Sequence, residues 1–299
     1  MLTLQFPSYI AVMTYADDRQ LRADMYKAFS TRASELGSNS DWDNTEIMEQ
    51  TIALRHEKAQ LLGFNNYAEL SLATKMADST SEVTDFLEEL AEKSLPQARK
   101  DLAELAEFVQ QQYAVTNLHT WDAGYYSEKM RQYAYDLSQE EVKQYFPAPK
   151  VLQGLFNVVE KLYGLNISEL DNIDAWHKDV RFFQIKDKAG ELRGKFYIDL
   201  YARPHKRGGA WMDDCVGRKK TGDVIQIPVA YLTCNFTPPA GNDPALLSHD
   251  EVLTLFHEFG HGLQHMLTQV DYLGVSGING VEWDAVELPS QFLENWCWE

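Results

Sequence analysis

The amino-acid sequence predicts a predominantly α-helical protein with a small, mainly antiparallel β-sheet, which is an α+β fold. Two observations lead to this prediction. Apolar residues at helical spacing, preceded by N-capping residues, fill most of the chain up to residue 175. After residue 176, short apolar runs separated by glycine-containing turns indicate strands, and one amphipathic helix follows them. We therefore expect a helical region over residues 1–175 and a sheet with its helix over residues 176–299.

The beginning of the chain is predicted as an extended segment followed by helices. Residues 1–15 mix β-forming residues with Pro7, which favours a strand or an extended lead-in. The pair Asp17-Asp18 is typical of a helix N-cap, and apolar residues at helical spacing follow it. A second helix is expected after Asn44 and should end at Gly63.

A longer helical stretch begins at a capping-box pattern, in which Glu82 follows Ser79 by three residues. We expect Pro96 to interrupt this stretch, because proline cannot donate the helical hydrogen bond. The excess of acidic residues here is typical of a solvated helix face. Further helices are expected at residues 122–135, 139–145 and 150–163.

The sequence pattern changes near Trp176 from helical to alternating spacing. Residues 180–186 and 194–201 alternate on either side of a glycine-containing turn and predict a β-hairpin. A glycine-containing loop follows. Residues 229–236 are expected to form the next strand, which is also the last one before the final helix.

Length, charge and cysteine content restrict the class of protein. The 299 residues, 44% of them hydrophobic, are sufficient for one large domain or two. A formal charge of −18 argues against nucleic-acid and anionic-membrane partners. No apolar run approaches the ~18 residues that span a bilayer, and the first residues do not resemble a secretory signal. Three widely separated cysteines favour reduced thiols and a cytoplasmic location.

The final helix carries the pattern H-E-x-x-H between His257 and His261, after a capping box that begins at Ser248. Residues four apart lie on one helix face, so both imidazoles can bind the same metal ion. Glu258 is rotated by about 100° from His257 and can face a water molecule there without being a ligand. The alternative is a solvated helix that matches the pattern by chance. Because the apolar stripe lies opposite the histidines, we favour a zinc site.

A catalytic zinc ion usually has three protein ligands, so a third ligand must be found. The H-E-x-x-H-x-x-G-x-x-H extension is absent, because Gln264 and Leu267 occupy its last two positions. His265 lies a full turn beyond His261, and we expect it at the surface or in contact with a ligand residue. Four downstream acids remain as candidates that spacing alone does not separate, namely Glu282, Asp284, Glu287 and Glu294.

Two segments carry a resemblance to a known family. The segments H-E-F-G-H-G and V-E-L-P-S-Q-F-L-E-N-W are similar to the thimet oligopeptidase family of zinc metallopeptidases, in its bacterial branch. The upstream segments K-R-G-G-A-W and Y-L-T-C-N-F also fit, so the resemblance covers essentially the whole chain. The site residues that it implies are the zinc ligands His257, His261 and Glu287, the catalytic base Glu258 and, as a partner of one histidine, Asp284.

This resemblance implies a zincin-like metallopeptidase catalytic region with one zinc ion per chain. The expected activity is hydrolysis of short oligopeptides, the expected partners, with Glu258 taking a proton from a zinc-activated water molecule. A dipeptidyl carboxypeptidase of the same family and a non-catalytic, zinc-stabilised helical scaffold are the alternatives. The family extends beyond this chain at both ends, so we expect a truncated fragment that exposes apolar surface near Glu299 and cleaves peptides poorly. The oligomeric state stays open.

Overall fold

The computed structural model of the protein describes residues 2–171, 173–241 and 243–299. The chain divides into two compact units, Met1–Ser138 and Gln139–Glu299. The first unit is built from helices, and the second combines helices with β-strands. The predicted α+β character is therefore present, with a predominance of helix.

The helices of the first unit begin where the capping residues predicted them. Asp18 accepts hydrogen bonds from the amides of Gln20 and Leu21, and Ser79 accepts one from the amide of Glu82. The helices are α1 Phe6–Tyr15, α2 Arg19–Ser30, α3 Thr45–Leu61, α4 Tyr67–Leu72, α5 Thr80–Tyr113 and α6 Thr120–Tyr135. The helices predicted after Asp18, after Asn44 and over residues 122–135 are thus confirmed.

Two predictions for the first unit were wrong. The N-terminal segment contains helix α1 instead of a strand, and Pro7 lies in its first turn, where proline loses no hydrogen bond. Pro96 does not interrupt α5, which is continuous from Thr80 to Tyr113. A proline removes one bond of the helical ladder, and the remaining turns of this 34-residue helix keep it intact.

In the second unit, the described residues form a five-stranded sheet and a separate two-stranded ribbon. The elements are α7 Gln139–Lys143, α8 Ala148–Tyr163, β1 Asn166–Glu169, β2 Arg181–Lys186, β3 Leu192–Tyr201, β4 Trp211–Val216, β5 Lys219–Thr221, β6 Val224–Gln226, β7 Val229–Phe236, α9 His249–Met266 and α10 Leu288–Glu294. The strand order is β1-β2-β3-β7-β4, so β4 lies at an edge. Strand β7 pairs parallel with β3, and the other pairings in this sheet are antiparallel.

The hairpin of β2 and β3 and the strand β7 are confirmed, but the prediction missed four strands. Strand β7 is not the next strand after the hairpin, because β4, β5 and β6 come between them. The missed strands lack a strong apolar alternation: β4 contains Asp213 and Asp214, and β5 begins with two lysines. Pairing with neighbouring strands decides their conformation more than their own composition does.

One core joins α8, α9 and the inner face of the sheet. Leu155 of α8, Phe196 of β3 and Phe259 of α9 are all fully buried in it. Two glycines let α9 lie directly on the strands: a Cβ at Gly194 would be 2.6 Å from the Cβ of Met266, and one at Gly262 would be 3.1 Å from Leu232. Since α8 shares this core, the compact unit begins before the predicted boundary at residue 175. The division into a helical region over residues 1–175 and a catalytic region over residues 176–299 stays a prediction.

A buried ionic cluster holds the loop that leads from β3 to the edge strand β4. Asp199 forms ion pairs with Arg203 and Lys206 at 2.7 and 2.8 Å, and the side chains of Asp199 and Lys206 are only 4% and 5% exposed. The Lys206 ammonium also donates to the carbonyl oxygens of Tyr201 and Cys234. Burial alone would raise the pKa of Asp199, but hydrogen bonds from Arg203, Lys206 and Trp176 lower that pKa to about 2.

Replacement of Asp199 by alanine is expected to lower the free energy of unfolding by about 3–5 kcal/mol, because it leaves Lys206 charged, buried and unpaired. The lowered pKa also predicts an acid limb. The stability that Asp199 contributes is present above its unfolded-state pKa of 3.8 and is lost as the pH falls toward about 2. Urea unfolding between pH 2 and 6 measures both effects, with the exposed Glu160→Ala in α8 as the control. Equal stabilities of Asp199→Ala and the parent at pH 6, where the contribution of Asp199 is fully present, would contradict the prediction.

Candidate active site

Helix α9 begins at the predicted capping box. The Ser248 hydroxyl accepts from the amide of Glu251 at 3.2 Å, and the Glu251 carboxylate accepts from the amide of Ser248 at 2.8 Å. The apolar stripe that includes Val252, Phe256 and Phe259 is buried against the core. The opposite side of the helix presents His257 and His261 away from the core.

Three side chains converge at this face of α9. His257, His261 and Glu287 offer ligand atoms that all lie within 4.8 Å of one another. The Oε2 atom of Glu287 is 3.2 Å from Nε2 of His257 and 3.1 Å from Nε2 of His261. Two imidazoles and one carboxylate are a donor set that fits zinc in a site with an open position. Of the four acids that spacing left open, Glu287 is the one in this group.

The chain returns to α9 through a segment that contains Gly277 and Gly280. Both glycines have positive φ angles, 64° and 76°, which other residues rarely adopt. This turn allows α10 to pack along α9. Glu287 lies in the segment that follows α9, and this return places its carboxylate beside the two histidines of α9.

Glu294 holds the ring of His257 from the other side. Its Oε1 atom is 2.7 Å from Nδ1 of His257, so a proton on Nδ1 leaves Nε2 with a free lone pair for a metal. The sequence included Glu294 only among the ligand candidates. It lies seven residues after Glu287, and this helical spacing was the signal for a shared face. The assignment of Asp284 as a partner of a histidine stays a prediction.

The neutral form of His261 is favoured by its surroundings. Burial lowers the pKa of His261, and the neighbouring His257 lowers it further, while Glu287 acts in the opposite direction. A neutral imidazole is the form that binds a metal ion. The environment therefore prepares this histidine for ligation at neutral pH.

Glu258 lies in an environment that suits proton transfer. It is only 5% exposed. Burial raises the pKa of its carboxyl to about 7, an effect that Glu287 reinforces and that His257 and the Met212 amide oppose. A general base is most effective when its pKa is near the working pH. A divalent cation beside it would favour the carboxylate and lower this pKa.

Of the two positions expected for His265, the one at the surface is wrong. It is fully buried instead of lying at the surface, and its Nε2 atom is 3.0 Å from the carbonyl oxygen of Val216. A Cβ at Gly277 would lie 2.6 Å from its Nδ1 atom, so the returning segment covers the ring. Face counting on an isolated helix could not reveal that other elements cover this side.

Two further residues near the site were not singled out from the sequence. The amide of Met212, in the edge strand β4, hydrogen-bonds to Glu258. The hydroxyl of Ser290 lies 2.7 Å from Oε2 of Glu287. Ser290 follows Glu287 by three residues at the start of a helix, and this spacing could have indicated the contact.

The chain matches Peptidase family M3 over residues 12–299, and it therefore belongs to this family. It is 58% identical over its whole length to oligopeptidase A of Salmonella typhimurium and of Escherichia coli. It is also 35% identical, over 94% of its residues, to dipeptidyl carboxypeptidase of Escherichia coli, of which it covers 40%. The chain spans 44% of the length of the two oligopeptidase A relatives. In the described residues, no helix is long and apolar enough to cross a membrane.

Proposed function

We propose that this chain carries the catalytic centre of a zinc-dependent endopeptidase that hydrolyses short oligopeptides. The observation that carries the proposal is the convergence of His257, His261 and Glu287 beside the buried carboxyl group of Glu258. Membership of a peptidase family supports peptide-bond hydrolysis. Relatives named oligopeptidase A support short peptides as substrates. The proposal includes a zincin-like catalytic fold. It also includes a cytoplasmic location, which the free cysteines favour.

In the proposed mechanism, one set of residues binds the metal ion and another residue transfers the proton. His257, His261 and Glu287 would hold the zinc ion, which when bound supplies a Lewis acid and lowers the pKa of water toward ~7. Glu258 would accept a proton from the attacking water at its carboxylate and deliver it to the nitrogen of the leaving amine. Burial raises the pKa of Glu258 and a bound divalent cation would lower it, so the two effects oppose each other in setting the pKa of the base. This route needs no nucleophilic serine or cysteine.

The edge strand β4 gives an extended peptide a place to bind. Strand β4 pairs with β7 on one side, and no strand among the described residues pairs with its other side. Unpaired backbone groups at a sheet edge can form hydrogen bonds with an added strand. The contact between Met212 of β4 and Glu258 supports a binding position beside the catalytic carboxyl group. Backbone recognition of this kind favours peptides of varied sequence.

Two alternatives differ from this proposal in their expected products. A dipeptidyl carboxypeptidase would release dipeptides from a free C-terminus, and the relative of that name supports this alternative. A zinc-stabilised scaffold would cleave nothing. The burial of Glu258 beside the ligand group argues against the scaffold, because a structural zinc site needs no base.

Removal of the metal is expected to abolish hydrolysis of a peptide blocked at both ends. The full-length protein carrying this sequence is treated with a chelator, and cleavage of an internally quenched peptide is followed by fluorescence. Activity should fall to background and return when one equivalent of zinc is added, because the ion activates the water. A peptide cleaved only when its C-terminus is free would favour the dipeptidyl carboxypeptidase. If metal analysis found no zinc in the treated protein and cleavage were undiminished, a zinc-dependent mechanism would be refuted.

A further inference from the structure

The close approach of α9 and α10 depends on the absence of a side chain at residue 260. A Cβ on Gly260 would lie 2.5 Å from the carbonyl oxygen of Pro289 and 2.6 Å from Cα of Ser290. Both atoms belong to the backbone, so any larger residue would have to push the start of α10 away from α9. Helix α10 begins directly after Glu287, and the same displacement would therefore move this carboxylate.

Ser290 links this contact to the carboxylate of Glu287. The serine is fully buried, and its hydroxyl lies 2.7 Å from Oε2 of Glu287 and 2.9 Å from the Glu287 carbonyl oxygen. The contacted Oε2 is the same oxygen that lies near both histidine Nε2 atoms. A hydroxyl that donates to a carboxylate forms a strong, charge-assisted hydrogen bond.

Support from Ser290 matters because the side chain of Glu287 is half-exposed, and the two histidines that it approaches are the groups with which it would share the metal. The side chain is 50% exposed, and it makes no capping hydrogen bond to the helix that follows it. An exposed glutamate side chain loses rotamer entropy when it is fixed in one position. A neighbour that restrains it before the metal arrives reduces this loss on binding.

We infer that Gly260 and Ser290 are positioning residues for the third zinc ligand. Gly260 sets the distance between the two helices, and Ser290 directs Oε2 of Glu287 toward His257 and His261. This inference rests on the proposed zinc site and adds two residues that do not touch the metal. It also gives a physical reason for glycine before the second histidine of the H-E-x-x-H pattern.

The test compares zinc affinities, measured by competition with a chromophoric chelator, for the parent and three variants of the full chain. Removal of a group that orients a metal ligand typically weakens metal binding by about 10–100-fold. We expect a loss in this range for Ser290→Ala and a similar or larger loss for Gly260→Ala. Gly154→Ala in α8 is the matched control, because nothing lies within 4 Å of a Cβ at that position. Its zinc affinity should equal that of the parent.

A background that lacks the carboxylate separates positioning from general damage to the fold. In a Glu287→Ala chain, Ser290→Ala should leave the weaker remaining zinc affinity unchanged, since the group that the hydroxyl orients is absent. Parental zinc affinity in Ser290→Ala, or an equal further loss in the Glu287→Ala background, would overturn the inference. The Ser290 comparison decides the matter even if Gly260→Ala does not fold. A parent that binds no zinc would instead refute the proposed function, and the inference with it.

Discussion

Replacement of Glu258 by glutamine is expected to abolish peptide hydrolysis while zinc stays bound. Glutamine keeps the size of the side chain and can still pack in the buried position, but it cannot accept a proton. General-base catalysis typically contributes about 10²–10⁴-fold to the rate, so we expect kcat to decrease by a factor in this range or by more. Metal content should stay near that of the parent, because Glu258 does not belong to the three side chains that we propose to bind the zinc ion.

The measurement uses the full-length protein carrying this sequence, with kcat from a quenched peptide and zinc content from the same preparation. Glu160→Gln, an exposed glutamate of α8, is the control for loss of one carboxylate and should retain parental activity. A higher KM with an unchanged kcat would be inconsistent with loss of the base, because that pattern reports a loss of ground-state binding. Near-parental turnover in Glu258→Gln would assign the proton transfer to another group.

Local signals were sufficient to predict the element that carries the site. The Ser248 capping box and the apolar stripe through Phe256 and Phe259 predicted the start and orientation of α9, and both are observed. These features act within a few residues along one helix, so the sequence displays them directly. The H-E-x-x-H spacing likewise follows from the geometry of one helix.

Features that depend on contacts between distant segments were harder to predict. Strand β4 contains Asp213 and Asp214 and becomes a strand because it pairs with β7. His265 is buried because Val216 and Gly277 cover it, although the helix alone places it on a polar side. The contact of Glu294 with His257 joins residues 37 positions apart. No periodicity within one segment reports contacts of this kind.

Replacement of a side chain that we propose to bind zinc is expected to have the largest effect on zinc content. His261→Ala removes one of three donor atoms, and a site with two remaining protein ligands does not fit the usual catalytic zinc site. We expect zinc to be largely lost from His257→Ala, His261→Ala and Glu287→Ala after dialysis, as measured by elemental analysis. Hydrolysis should be lost in parallel, and added zinc should not restore it.

The hydrogen bond between Glu294 and His257 predicts a second, smaller loss of zinc binding that can be compared with the loss of a ligand. Glu294→Ala leaves all three donors in place and removes only the hydrogen bond that fixes the His257 ring. Zinc should therefore bind about 10–100-fold more weakly, a smaller loss than in His257→Ala, and excess zinc should restore occupancy. The side-chain carbonyl oxygen of Gln in Glu294→Gln can still accept a hydrogen bond from Nδ1–H of His257, so this variant should lie between Glu294→Ala and the parent. If Glu287→Ala retained full zinc occupancy while Glu294→Ala lost it, the third ligand would be Glu294, and the roles of the two glutamates would have to be exchanged.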